Sequence, residues 1–272
     1  MSAATVASDA PILDVRSLGV ASSDGVPLVS DVSFSIAPGE RLGLIGESGS
    51  GKSLTSFAVT GLLPGGLVAS GSAILDGVEV IGARERDLVG VRGSVASIVF
   101  QEPLTALDPL MRLGRQVAEP LRRHLGLRGA ALRSAVLEAL AEVRLPEPER
   151  IAHAYPHEIS GGQRQRVAIA AALACKPRLL IADEPTTALD VTVQEEILSL
   201  LDSLVAERRM ALIFVSHDLA VVSRMTDHAL LLRGGRVVEE GPIDRILSAP
   251  SDPYAVELVR SARQLDAALE VS

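Results

Sequence analysis

The 272-residue sequence contains no tryptophan, two tyrosines and four phenylalanines. Stacking platforms for nucleic-acid bases need aromatic side chains, so a single-strand-binding surface is hard to assemble from this composition. The formal net charge of −8 argues the same way, because a groove that tracks a phosphate backbone needs clustered cations. Nucleic acid is therefore not the expected partner. A single cysteine, Cys175, excludes an intramolecular disulfide framework and a cluster of thiol metal ligands. It lies in the apolar run "VAIAAALAC" and reads as a small buried residue. No run approaches the ~18 apolar residues of a membrane span. The N-terminal "MSAATVASDAPILDV" also lacks the basic head and apolar stretch of a signal peptide. A soluble, cytoplasmic chain is the expectation.

Apolar residues make up 47% of the chain, enough to bury a substantial core in one large domain or two small ones. Short β-branched runs near 12–20 and 28–36, then "ERLGLIG" at 40–46, read as strands leading into a glycine-rich loop. A helix is predicted from about Gly51 to Leu63, stopped by "PGG" at 64–66. Strand patterns follow at 72–75 and 95–100. From about Arg112 to Arg150, Leu, Ala and Arg recur at helical spacing, which suggests an inserted helical subdomain. A helix to about Cys175, a strand at 178–183, a helix over about Thr192–Arg209, a strand at 211–215, a helix after His217 and two short strands around "LLRGGRVVEE" complete a β/α alternation. That alternation favours a mainly parallel sheet covered by helices.

Gly46-Glu47-Ser48-Gly49-Ser50-Gly51-Lys52-Ser53 fits G-x-x-x-x-G-K-[ST] between a predicted strand and a predicted helix. The glycines let backbone N–H groups face the β- and γ-phosphates, the helix N-terminus adds its dipole, Lys52 supplies a positive charge, and Ser53 can ligate Mg²⁺. Of the 26 basic residues only Lys52 and Lys176 are lysines, so an arginine-rich chain keeps lysine where a phosphate loop requires it. "LLIADE" at 179–184 delivers two carboxylates to a strand end. Asp183 is expected in the Mg²⁺ shell and Glu184 as the base that polarises the attacking water. His217 follows the next strand, where its imidazole could bond a γ-phosphate or orient the water. Gln101, in "VFQEP", is a neutral amide suited to ligating Mg²⁺ and reporting on γ-phosphate. "ISGGQRQR" at 159–166 reads as a second anion site, with Ser160 as N-cap and Gly161 and Gly162 allowing close backbone approach.

Together these motifs resemble the nucleotide-binding subunit of ATP-binding-cassette (ABC) transporters. "GESGSGKS" is similar to the Walker A loop, Gln101 to the Q-loop, "SGGQ" (Ser160, Gly161, Gly162, Gln163) to the signature, "LLIADE" to Walker B, "ALD" with Asp190 to the D-loop, and His217 to the switch histidine. "QEPLTALDPL", "YPHEISGGQRQRVAIA" and "ADEPTTALDVTVQ" look like the dipeptide, oligopeptide and nickel importer branch. "PSDPYAVELV" at 250–259 resembles that branch's C-terminal segment, with Asp252 where histidine is usual. The fold implied is α/β: an ABC-type P-loop ATPase core with a mainly parallel sheet, an N-terminal antiparallel β subdomain and a helical subdomain inserted at about 102–175. All of this would form one domain over 12–260, followed by a tail at 261–272.

The resemblance implies a head-to-tail cassette pair, with ATP and Mg²⁺ between the Walker A loop of one chain and the signature of the other. It further implies two membrane permease subunits, a related but non-identical second cassette, an extracytoplasmic solute-binding protein, and a peripheral place on the cytoplasmic face of the membrane. Two departures stand out. The stretch "VASSDGVPLV" at 20–29 lacks the aromatic that usually stacks on adenine, the nearest being Phe34. No cysteine follows Cys175, so no iron–sulfur cluster is expected. Peptide is the preferred solute and nickel the alternative. In another class stand non-transport ABC ATPases of DNA repair, chromosomes and translation, but these carry long coiled coils, zinc modules or paired cassettes. Here about a hundred residues separate the phosphate loop from "SGGQ", without sustained heptads. A small-molecule kinase would leave "SGGQ" unexplained.

Overall fold

A computed structural model describes residues 10–101, 106–187 and 189–269, with side chains to 264. Positions 1–9, the expected start of the helical insertion at 102, Ala188 of "ALD" and positions 270–272 lie outside the described residues.

The strands are β1 (Leu13–Ser22), β2 (Pro27–Ile36), β3 (Arg41–Ile45), β4 (Leu67–Leu75), β5 (Val78–Glu79), β6 (Ala96–Val99), β7 (Leu179–Asp183), β8 (Ala211–Ser216), β9 (His228–Arg233) and β10 (Arg236–Pro242). The helices are α1 (Lys52–Val59), α2 (Glu85–Leu88), α3 (Leu113–Leu125), α4 (Gly129–Glu142), α5 (Pro148–His153), α6 (Gly161–Leu173), α7 (Val191–Arg208), α8 (Leu219–Met225), α9 (Ile243–Ser248) and α10 (Pro253–Leu269).

A four-stranded antiparallel sheet runs β2-β1-β4-β5, and a six-stranded sheet runs β10-β9-β3-β8-β7-β6. The second is parallel apart from the β9–β10 hairpin. That hairpin turns on Gly234 and Gly235, both at positive φ, the pair a two-residue loop requires. β7 and β8 are buried on both faces, which is why they read as continuous apolar runs. Leu179, Ile181, Ile213 and Val215 enter the core shared with the antiparallel sheet and α1. Leu180, Ala182, Leu212 and Phe214 enter the core under the helices. Gly43 on β3 admits α8, since a Cβ there would lie 2.3 Å from Val222 Cγ1.

Helices α3 to α6 pack on one another through buried Val117, Leu121, Leu140, Ile151 and Val167, and this core continues beneath α7 and the parallel sheet. α1 ends at Val59 rather than Leu63 because Gly61, at φ 66, closes it before Pro64 arrives. β5 and α2, only 2 and 4 residues long, are absent from the sequence reading. α9 and α10 likewise lie outside the elements expected from the sequence. The signal for α10 was present, since Asp252 Oδ1 accepts from Tyr254 N at 2.8 Å and Pro253 opens the helix.

Candidate functional site

The parallel strands bring their C-terminal ends to one edge, and α1 begins there. Between Ile45 and Lys52 the loop turns through Gly46, Gly49 and Gly51, all at positive φ. A Cβ at Gly46 would meet Leu232 O at 2.2 Å, so no other residue fits that turn. A cavity of about 630 Å³ opens above the loop, lined by Gly46 to Leu54 and by Gln101, Glu184, Thr187, His217 and Leu258. Among the described residues lining it there is no phenylalanine, tyrosine or tryptophan. Phe34 packs against the core between the two sheets.

Lys52 is 5% exposed and donates Nζ to Gly46 O at 2.7 Å and to Glu47 O at 2.9 Å. Burial pushes its ammonium below the ordinary lysine value, against the upward pull of Glu184, Asp183 and Glu47. Ser53 Oγ donates to Asp183 Oδ1 at 3.1 Å. Burial raises the Asp183 carboxyl above its usual range; the Ser53 bond opposes this, Glu184 adds to it and Lys52 opposes it. Burial thus disfavours the charged form of both the Lys52 ammonium and the Asp183 carboxylate.

Glu184 follows β7 at φ 46, a left-handed conformation that costs a non-glycine residue energy and breaks the strand alternation. Its backbone N–H is bonded to Val215 O at 2.9 Å, which ties the turn to β8. Three side chains converge on its carboxylate: Gln101 Nε2 at 3.1 Å, Thr187 Oγ1 at 3.0 Å and His217 Nδ1 at 3.2 Å. Gln101, Asp183, Glu184 and His217 come from the ends of β6, β7 and β8, side by side in the sheet. Thr187 was not singled out in the sequence; only its place three residues after Glu184 could have suggested it.

Ser53 and Asp183 offer hard oxygen donors, the type Mg²⁺ takes, and Gln101 lines the cavity together with Ser53. Among the described residues no group of three His, Cys, Asp or Glu could hold a metal alone. The donor set fits a cation that also takes phosphate oxygens, and a bound Mg²⁺ would neutralise charge developing on them.

The signature lies elsewhere. Ser160, Gly161, Gly162 and Gln163 do not line the cavity. Ser160 caps α6 with its Oγ accepting from Gln163 N at 3.3 Å, while Gln163 Oε1 accepts from Ser160 N at 3.1 Å. Asp190 caps α7, accepting from Val193 N at 3.0 Å. The two helix starts touch: a Cβ on Gly162 would lie 2.6 Å from Val193 Cγ1.

A phosphate loop at the carboxyl edge of a parallel sheet, with a carboxylate, an amide and an imidazole around one cavity and a second carboxylate bonded to the loop's serine, defines a P-loop ATPase. The ABC transporter family description matches residues 29–187. The chain is 43% identical over 259 residues to an oligopeptide transport ATP-binding protein, OppD, of Haemophilus influenzae, covering 94% of this chain and 80% of that one. The OppD of Salmonella typhimurium is 44% identical, covering 98% and 82%. A peptidoglycan transport ATP-binding protein, YejF, of Agrobacterium fabrum is 45% identical over 92% of this chain, which spans 46% of that protein's length. Among solved structures, the dimeric post-hydrolysis ATP-binding cassette MJ0796 bound to ADP and Pi superposes with a TM-score of 0.74 at 30% identity, covering 85% of this chain and 98% of that one. The chain belongs to the ABC transporter family, and its fold is that of the family's ATPase cassette.

Proposed function

We propose that the protein is the ATP-hydrolysing, energy-coupling subunit of a bacterial ABC importer for peptides. The reading is carried by Gln101, Glu184 and His217, gathered at the strand ends around one cavity, together with relatives named for oligopeptide transport. Lys52 and the loop bind the phosphates of ATP, Ser53, Asp183 and Gln101 hold its Mg²⁺, Glu184 activates water, and His217 orients it. Glu184 is suited to that role because hydrogen bonds from Gln101, Thr187 and His217 fix its carboxylate, with no direct ion pair to an arginine or lysine among the described residues.

The separation of the signature from the chain's own cavity favours a sandwich. Ser160, Gly161, Gly162 and Gln163 of one cassette then meet the ATP held by its partner's loop, with Asp190 packed beside them. The partner is a second, related cassette, and the pair drives two permease subunits supplied by a solute-binding protein. No described helix is long and apolar enough to cross a membrane, so attachment at the cytoplasmic face would be peripheral, through the permeases. Nickel is not favoured, since the OppD relatives are named for oligopeptide transport and YejF for peptidoglycan transport.

The test is purification from the native cell followed by ATPase assays. Two multispanning membrane proteins should co-purify, and peptide presented with its binding protein should stimulate hydrolysis. Stimulation by DNA, ribosomes or nickel instead would overturn the assignment.

A further inference from the structure

One side chain braces the phosphate loop from outside it. Tyr254, in the first turn of α10, accepts at its hydroxyl oxygen from Glu47 N–H at 3.0 Å. The carbonyl of that same peptide unit, Gly46 O, accepts from Lys52 Nζ at 2.7 Å. A single peptide group at the head of the loop is therefore gripped at both ends. Tyr254 is 3% exposed, and the Arg233 guanidinium lies 5.0 Å over its ring.

The brace is itself anchored. The buried Glu239 carboxylate on β10 accepts from Ser251 N at 3.1 and 3.0 Å, from Ser251 Oγ at 2.9 Å, from Asp252 N at 3.0 Å and from Arg245 at 3.2 Å. These bonds fix the turn that launches α10. One helical turn beyond Tyr254, Leu258 lines the nucleotide cavity. α10 thus touches the loop through one residue and the cavity through another.

We propose that Tyr254 is a positioning residue for nucleotide binding, holding the Gly46–Glu47 peptide so that the loop and the resting place of Lys52 are set before ATP arrives. This rests on the ATP-binding reading above. A loop without the brace can rotate that peptide, and ATP must then reorder it at a cost in affinity. Losing one such bond corresponds to roughly threefold to tenfold weaker binding.

The experiment is ATP titration of the full chain by calorimetry, with melting measured alongside. Tyr254→Phe should weaken ATP by about threefold to tenfold while melting within a few degrees of wild type. Glu239→Gln, which touches neither loop nor cavity, should weaken ATP in the same direction by releasing the turn. In a Tyr155→Phe background Tyr254 is the sole tyrosine in a chain without tryptophan, and ATP should change its emission. Wild-type affinity in Tyr254→Phe, or emission indifferent to ATP, overturns the proposal. A wild-type chain that fails to bind ATP removes the ATPase reading and this inference together.

Discussion

Replacing Gly161 with aspartate tests the proposed division of labour between the phosphate loop and the Ser160–Gln163 helix start. A Cβ at Gly161 would meet nothing closer than Leu189 Cδ2 at 3.8 Å, its φ is not in the left-handed region, and the residue is exposed. Loss of a glycine from a helix and gain of an acid in its first turn are each worth a few tenths to ~1 kcal/mol in the stabilising direction. The fold should therefore survive. Gly161 does not line the chain's own cavity, so ATP binding by the isolated chain should stay near the wild-type value. In the proposed sandwich, however, the new carboxylate would face the γ-phosphate held by the partner. Two unit charges about 4 Å apart repel by about 4 kcal/mol at an effective dielectric constant near 20, roughly a thousandfold in the population of closed pairs. Calorimetry on the isolated chain and phosphate release by the assembled complex are the assays. Lost affinity in the isolated chain, or wild-type hydrolysis in the complex, would refute the two-chain site.

Three further outcomes follow from the same geometry. Lys52→Ala should abolish nucleotide binding or turnover, because a buried ammonium bonded only to loop carbonyls has no substitute in the cavity; ATPase activity at the wild-type level would contradict this. Glu184→Gln should trap an ATP-bound cassette pair, seen as a dimer by size-exclusion chromatography with ATP and the partner cassette; a persistent monomer would count against the sandwich. Asp183→Asn should raise the melting temperature of the nucleotide-free chain at pH 7. Burial lifts the Asp183 pKa, so the unfolded carboxyl releases its proton first and native stability falls as pH rises through the usual carboxylate range. Asparagine removes that cost, by roughly 2–4 °C per kcal/mol, and should also remove the additional stabilisation given by Mg²⁺-ATP. A variant that melts below wild type at pH 7 would show that the Ser53 bond and the Lys52 charge together outweigh burial.

The phosphate loop, the carboxylate pair and the capped helix at Ser160 are legible from residue order alone, because each chemistry there is compressed into adjacent residues. Gly46 to Ser53 form one turn, Asp183 and Glu184 leave one strand, and Ser160 with Gln163 close one capping box. The alternation of apolar runs and helical periods likewise marked the parallel core, since strands buried on both faces must be apolar throughout. Short elements such as β5 and α2 left no period to read. Only the tertiary structure decided which motifs share a cavity. The order β3-β8-β7-β6 places Gln101, Glu184 and His217 within bonding distance although they lie 83 and 33 residues apart in the chain. It also carries the signature away from its own loop and returns Tyr254, 207 residues later, to the Glu47 amide. Those contacts depend on strand order and helix docking, which the burial of two cores fixes and no local pattern spells out.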